Sequence, residues 1–235
     1  MSLLKFGRGN AKLDKKIYTF SLPAGHSCPF AYECKASADR ETGLITDGAF
    51  QEFRCFSATA EAVYPSTRKA RWHNYDLLLK AKTKEAMYNL LMSSLPKKAT
   101  IVRVHVSGDF FNQAYFDAWM QVAATREDTM YYAYTKSVKY WMARKDSIPF
   151  NFELTASMGG AMDEVVVLNN LKNAVVVFSE EEAAAMGKEI DHDDSHAYSK
   201  GDSFALLLHG VQKKDAKASA ALRILKNNKI GGYPL

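Results

Sequence analysis

Three cysteines, Cys28, Cys34 and Cys55, are the only ones in 235 residues, and all fall in the first quarter of the chain. Cys28 and Cys34 lie in Ser21-Leu-Pro-Ala-Gly-His-Ser-Cys-Pro-Phe-Ala-Tyr-Glu-Cys34, and Cys55 in Phe53-Arg-Cys-Phe-Ser-Ala58, a C-x5-C-x20-C spacing. An odd set of clustered thiols suits a shared metal or cluster better than a disulfide framework. Three thiolates hold three corners of a 4Fe–4S cluster and leave one iron open to a substrate or cofactor. Zinc is the alternative metal. It needs a fourth ligand, and His26, two residues before Cys28, is the candidate. The bland reading is three small buried or redox thiols.

A second set of residues sits on strand-like segments. In Thr100-Ile-Val-Arg-Val-His-Val-Ser-Gly-Asp109 the alternation sends Val102, Val104 and Val106 one way and Arg103, His105 and Ser107 the other. Burying such a polar face is costly unless it lines a polar cavity. Gly108 allows close approach of a ligand to the backbone. Asp109 either accepts hydrogen bonds from an amine or caps the next helix. Tyr132, Tyr134 and Lys136 share a face, and Lys136 at the strand end suits a carboxylate or phosphate, or else snorkels to solvent. His209, before Gly210, is either catalytic or a hydrogen-bonded structural histidine. The candidate catalytic set is therefore Arg103, His105, Tyr134, Lys136 and His209. His73 reads as a helix-face residue. His192 and His196, with Asp191, Asp193 and Asp194, superficially resemble a metal cluster but lie in a polar stretch that reads as a solvated loop.

These residues need elements to place them. Residues 1–16 read as an N-terminal arm and 17–22 as the first strand. The cysteine-bearing loop and helix follow over 23–60, with Asp39-Arg-Glu-Thr-Gly43 as a turn. Helical composition over 49–64, stopped by Pro65, puts Cys55 near a helix N-terminus, which favours the thiolate. Periodicity gives one or two helices over 67–95, and others near 115–126, 138–144, 163–170, 180–186 and 213–226. Further strands fall at 100–107, 130–137, 150–157, 174–179 and 203–209, and 187–203 is a polar loop. Six strands separated mostly by helices imply an α/β fold with a largely parallel sheet. The expected form is a partial (β/α)6 barrel-like sheet with helical insertions after the first strand, built as one domain over 1–235. Sites in such folds assemble at the C-terminal strand ends.

At 47% hydrophobic the chain can bury one sizeable core. A net charge of +5 permits a nucleic-acid partner without demanding one. Lys5, Arg8, Lys12, Lys15 and Lys16 form either a phosphate-contacting arm or a solvated leader, and Arg68-Lys-Ala-Arg71 is the other basic region. No apolar run approaches the roughly 18 residues of a membrane span. The N-terminus carries no secretory apolar region. With three reduced-looking cysteines, a cytoplasmic location is expected.

Leu22-Pro-Ala-Gly-His-Ser-Cys28, Phe53-Arg-Cys55, Arg103-Val-His-Val-Ser-Gly-Asp-Phe110, Ala133-Tyr-Thr-Lys-Ser137 and Leu207-Leu-His-Gly210 together resemble the phage gene-product-88 domain family. Many members of that family carry further cysteines toward the C-terminus; here only one cluster can be cysteine-ligated. More distantly, the layout resembles the radical S-adenosylmethionine superfamily. Its partial barrels hold a 4Fe–4S cluster on three cysteines after the first strand, and the open iron chelates S-adenosylmethionine. The resemblance implies metal ligation by Cys28, Cys34 and Cys55. It implies cofactor binding by Ser107, Gly108 and Asp109, in the place of a Gly-Gly-Glu-like motif, and by Thr155 and Ser157 near the ribose. The superfamily spaces its cysteines C-x3-C-x2-C, whereas here the second gap is twenty residues. The leading expectation is thus a radical S-adenosylmethionine-like iron–sulfur enzyme acting on a small molecule held by Arg103, His105, Tyr134 and Lys136. One alternative is a zinc- or cluster-stabilised phage module binding host protein or nucleic acid. Another is a metal-dependent hydrolase using His26, His105, Asp109 and His209.

Overall fold

A computed structural model describes residues 2–9, 12–228 and 230; residues 1, 10 and 11 of the N-terminal arm lie outside the described residues. In chain order the elements begin with a short edge strand β1 (Gly7–Arg8) and β2 (Ile17–Ser21). A hairpin of β3 (Ala36–Ala38) and β4 (Ile45–Asp47) follows, then helices α1 (Phe56–Val63), α2 (Pro65–Ala81) and α3 (Lys84–Ser94). After β5 (Ile101–Ser107) come α4 (Gln113–Thr125), β6 (Met130–Thr135), α5 (Val138–Met142), β7 (Phe152–Ser157) and α6 (Asp163–Leu168). The chain continues with β8 (Asn173–Val177), α7 (Glu180–Ala185), α8 (Ser195–Tyr198), β9 (Phe204–Leu207) and α9 (Lys217–Asn227). Local chemistry sets many boundaries. Pro65 opens α2 where its missing N–H costs nothing. The Thr83, Asn112 and Ser179 side chains accept from Ala86, Tyr115 and Glu182 N–H at the starts of α3, α4 and α7. The expected turn after β3 is built on Asp39, whose Oδ1 accepts from Glu41 and Thr42.

The main sheet has the order β1-β2-β5-β6-β7-β8-β9. β1 is antiparallel to β2, and the other neighbours are parallel. The six parallel strands follow one another in sequence with no reversal. With right-handed crossovers this winding puts the connecting helices on one face, and the sheet must curl around its other face, as in a partial barrel. On the helical side, Val102, Val104, Tyr131, Ala133, Phe152 and Leu154 pack against Leu90, Leu91, Phe116 and Trp119. On the inner side, Ile17, Tyr132, Ala174 and Phe204 pack with Leu13 of the arm and Ala197 of α8.

Two expectations need correction. The strict alternation along β5 breaks. β2 pairs Thr19 with Arg103 and Ser21 with Ser107, so β5 carries extra residues in a bulge. His105 sits there at φ 69°, and its side chain turns to the helical side, where Nε2 meets the Tyr115 hydroxyl at 3.0 Å. It therefore does not share a face with Arg103. The 187–203 stretch is also not simply a solvated loop. His192 and Asp193 are exposed, but Asp191 and Asp194 are buried, and α8 packs across β6 and β7.

Candidate functional site

All three cysteines line one cavity at the C-terminal ends of the parallel strands. Its open mouth included, the cavity holds about 900 Å3 of space free of atoms, of which about 160 Å3 can be swept by the centre of a water-sized sphere. Arg103, Ser107, Gly108, Asp109, Tyr134, Lys136, Ser157 and His209 also border it, as the sequence reading anticipates. His105 contributes to the wall, but its ring packs on Phe110 and bonds Tyr115. Thr155 is fully buried on β7 and is not among the bordering residues, so it does not reach a ligand there.

The cysteine loop is held from four directions. The Lys35 ammonium donates to the carbonyls of Gly25 and Cys28, at 2.9 and 2.8 Å, and so closes the first cysteine turn. Tyr32 and Glu33 donate to Gly159 O, and Ala161 donates to Phe30 O, docking the loop on the β7–α6 connection. The Glu61 carboxylate accepts from Ala24 N–H (2.8 Å), from Ser107 Oγ (3.4 Å) and from the buried Arg71 (2.8 Å). Gly108, at φ 83°, leaves room for the loop. A Cβ there would come within 2.5 Å of Ser27 Oγ and 2.7 Å of Leu22 Cβ, so its close approach is to the chain itself rather than to a ligand.

Cys55 stands at the N-cap position of α1, near a helix start as expected, without a side-chain capping bond, and the helix begins only at Phe56. The Gln212 amide clamps its neighbour: Gln212 Oε1 accepts from Arg54 N–H at 2.7 Å, and Nε2 donates to Arg54 O at 3.2 Å. Ser57 Oγ reaches Val106 O, and Phe56 lies on His209 with ring centres 4.5 Å apart. The start of α1 thus spans the mouth from β5 to β9. Lys35, Glu61 and Gln212 carry no motif of their own, so nothing in the sequence singled them out, and Arg71 stood out only as part of a basic run.

The electrostatics of the cavity oppose bare thiolates. Burial pushes the Cys28 thiol well up, and Asp109 and the other two thiols push in the same direction. Burial raises Cys34 to about 11 against the partial relief of Lys136. Asp109 rises to about 6 through burial, although Thr135 Oγ1 and the N–H groups of Phe110 and Lys136 donate to it. The bonds from Thr135 and Lys136 join the ends of β5 and β6, and the three together use three of the roughly four acceptor positions of the carboxylate; the cap of α4 is Asn112. The Lys136 ammonium is bonded by Ser157 O (2.9 Å), Ser157 Oγ (3.0 Å) and Met158 O.

Below the cavity, Arg103 and Lys12 both bond Asp194, at 2.5 and 2.8 Å, and the Tyr132 and Tyr134 hydroxyls also reach it. Burial alone would raise Asp194, but these cations and the hydrogen bonds hold its carboxyl below the ordinary range. The Arg103 guanidinium lies over the Tyr134 ring at 5.0 Å. Asp194 is therefore a functional-region residue that the polar composition of its segment concealed.

Other expected sites do not assemble. His26 is exposed, bonds Ala38 O at 3.2 Å and packs on Trp72. It does not line the cavity that the thiols, His105, Asp109 and His209 border, so the structure does not bring it to them as a fourth zinc ligand or as a hydrolase partner. Among the described residues, no group of three or more His, Cys, Asp or Glu side chains is arranged to hold a metal ion. His196 bonds Glu189 at 3.0 Å rather than His192. Of the basic segments, Lys12 is drawn inside, and Arg68 and Arg71 are buried on internal carbonyls and Glu61. No helix among the described residues is long and apolar enough to cross a membrane.

Fold and site together define a class: a sequentially wound α/β partial barrel whose cavity is lidded by a cysteine-bearing loop. The chain belongs to the Gene product 88 family, a bacteriophage family whose model matches residues 2–226. No curated protein and no solved structure matches it.

Proposed function

We propose that the chain is an iron–sulfur protein in which Cys28, Cys34 and Cys55 hold a 4Fe–4S cluster over the barrel cavity, with one iron left for a small-molecule substrate or cofactor. The observation that carries this reading is the convergence of the chain's three cysteines, from two separate segments, on one cavity. The donor set fits. A mononuclear zinc needs four donors around one point at ~2.0–2.3 Å; the described residues present neither that nor any group of three His, Cys, Asp or Glu side chains gathered on one metal ion, so the reading rests on the shared cavity and on thiol chemistry. A cluster gives each thiolate its own iron. Burial is what chiefly raises Cys28 and Cys34, with repulsion from neighbouring thiols adding to it, and a cationic core beside them would offset both. When bound, such a cluster supplies one-electron chemistry and an open coordination position. The chain's own residues hold and shield it. Lys136 sets a fixed cation beside Cys34, Lys35 and Gln212 fix the cysteine segments, and the Arg103–Asp194–Lys12 group closes the cavity from below.

Of the residues that the superfamily resemblance would give to S-adenosylmethionine, Ser107, Gly108, Asp109 and Ser157 border the cavity, Asp109 with three internal donors already on its carboxyl, whereas Thr155 is enclosed. The proposal therefore stops at the cluster, and S-adenosylmethionine is a co-substrate to be tried by titration. The nucleic-acid alternative draws on basic residues of which Lys12, Arg68 and Arg71 are held internally, so no observation favours it. Anaerobic purification and reconstitution test the reading. The expected product is brown, absorbs broadly near ~400 nm and carries about four irons per chain; Cys28→Ser, Cys34→Ser and Cys55→Ser each reduce retained iron. A colourless, iron-free protein after reconstitution overturns it.

A further inference from the structure

We infer that the β8–β9 half of the cavity binds a compact apolar molecule of one or two rings, and that the substrate presents such a group to the cysteines. The second clause rests on the preceding reading; the binding site itself does not.

The argument is a contrast between the two walls. The polar side chains on the β5–β7 wall are engaged by the protein. Arg103 bonds Asp194, the Tyr134 hydroxyl faces Asp191 and Asp194, and the Lys136 ammonium has Ser157 and Met158. Asp109 has its three donors, and the His105 ring is turned onto Tyr115. A ligand recognised through these groups would have to break bonds already made, and a buried polar group left without its partner is costly.

The apolar lining is Val176, Leu206 and Leu208 on the β8–β9 side, with Phe53 and Phe56 of the cysteine segment and Val106 of the β5 bulge beside them; Arg54, Ser57 and His209 stand at its edge. Covering the apolar side chains removes apolar surface from water and breaks no internal bond. The whole cavity, its cysteine side included, offers about 160 Å3, so an occupant of the apolar side has to be compact, on the scale of the benzene that apolar cavities of roughly 150 Å3 accept. A flat or branched hydrocarbon body fits such a space; a sugar or a charged metabolite would find no unpaired partner along that wall.

Indole is the probe. Methyl-labelled full-length protein, purified anaerobically, is titrated while the methyl signals of Val106, Val176, Leu206 and Leu208 are followed by NMR, and iron is measured on the same sample. The expected result is saturable shifts on these methyls, with affinity reduced at least about tenfold when Leu206→Trp fills the space. Val176→Phe serves the same purpose if Leu206→Trp fails to fold. Saturable binding to iron-free protein leaves the apolar site standing while the cluster reading fails. Iron-bearing protein with no saturable shifts overturns the inference and leaves the cluster reading intact. Undiminished binding to a folded space-filling variant also overturns it, because indole would then lie elsewhere.

Discussion

Single side chains in this cavity are governed first by burial and only then by their neighbours. Cys34 shows the balance: burial carries its thiol from 9.0 to about 11 even though Lys136 pulls it down. In metal-free protein at pH 8, alkylation of Cys34 by iodoacetamide should therefore run about a hundredfold slower than that of an ordinary thiol, in proportion to its thiolate fraction. Peptide mass spectrometry over time checks this, and labelling at the rate of an exposed cysteine would refute it. Glu61 is the second case. It is completely buried, and it neutralises Arg71 while holding Ala24 at the head of the cysteine loop. Glu61→Ala strands a buried guanidinium and should cost about 3–5 kcal/mol. In urea titrations, adding Arg71→Ala should cost little more, because the pair acts as a unit. Neither residue was legible in the sequence. Glu61 occupies what reads as an ordinary polar helix position, and Arg71 lies in a run that reads as a basic surface. The places of the cysteines and Lys136 after strands were legible because they are written directly in the chain, but Lys136 neither snorkels to solvent nor stands open to an anion: it is buried and bonds Ser157 and Met158.

At the scale of elements, strands and helices were read where the pattern was local. The six parallel strands appear where alternation or apolar runs put them, whereas Pro65, read as a helix stop, also opens α2, and the caps Thr83 and Asn112 were not picked out. The β5 bulge was not readable, because Val-Arg-Val-His-Val alternates without interruption. Only pairing with β2 and the seat offered by Tyr115 turn His105 away. This reversal has a consequence for its assigned role. Tyr115→Phe removes the partner of His105 Nε2 inside a dry core and should destabilise the fold by about 1–3 kcal/mol. Retained iron should be unchanged, since the ring does not point at the thiols. A large loss of iron with little loss of stability would restore His105 to the site. The short α8 escaped for a different reason. Its segment is polar by composition, yet Asp194 is drawn inward by Arg103, Lys12, Tyr132 and Tyr134, partners contributed by distant strands and by the arm. No window along the sequence contains that attraction.

For the whole molecule, the sequential strand order makes one face of the sheet a closed helical layer and leaves the other to be filled from loops. The arm and α8 fill it from below and the cysteine loop from above, so titratable groups end up enclosed at both levels. The acid stability of the protein follows from this enclosure. Burial depresses His105 to about 3 and His209 to about 4, below the ordinary 6.5. As pH falls from 6.5 toward 4, the unfolded chain takes up protons that the folded chain refuses, and stability falls. Asp109 acts in the opposite sense. Raised from 3.8 to about 6, it keeps a proton in the folded state that the unfolded chain has released. Its contribution is complete below 3.8 and lost as pH rises through 6. Two histidines outweigh one carboxyl, so the urea midpoint should rise between pH 4 and 6.5, with a total change of several kcal/mol on the ~1.4 kcal/mol per pH unit scale. His105→Gln should remove one of the two protonation sites that produce this slope and make the rise shallower. A midpoint flat across that range in the wild-type protein, or a slope unaltered by His105→Gln, would mean that these groups exchange protons freely and that the barrel is open to water where the structure closes it.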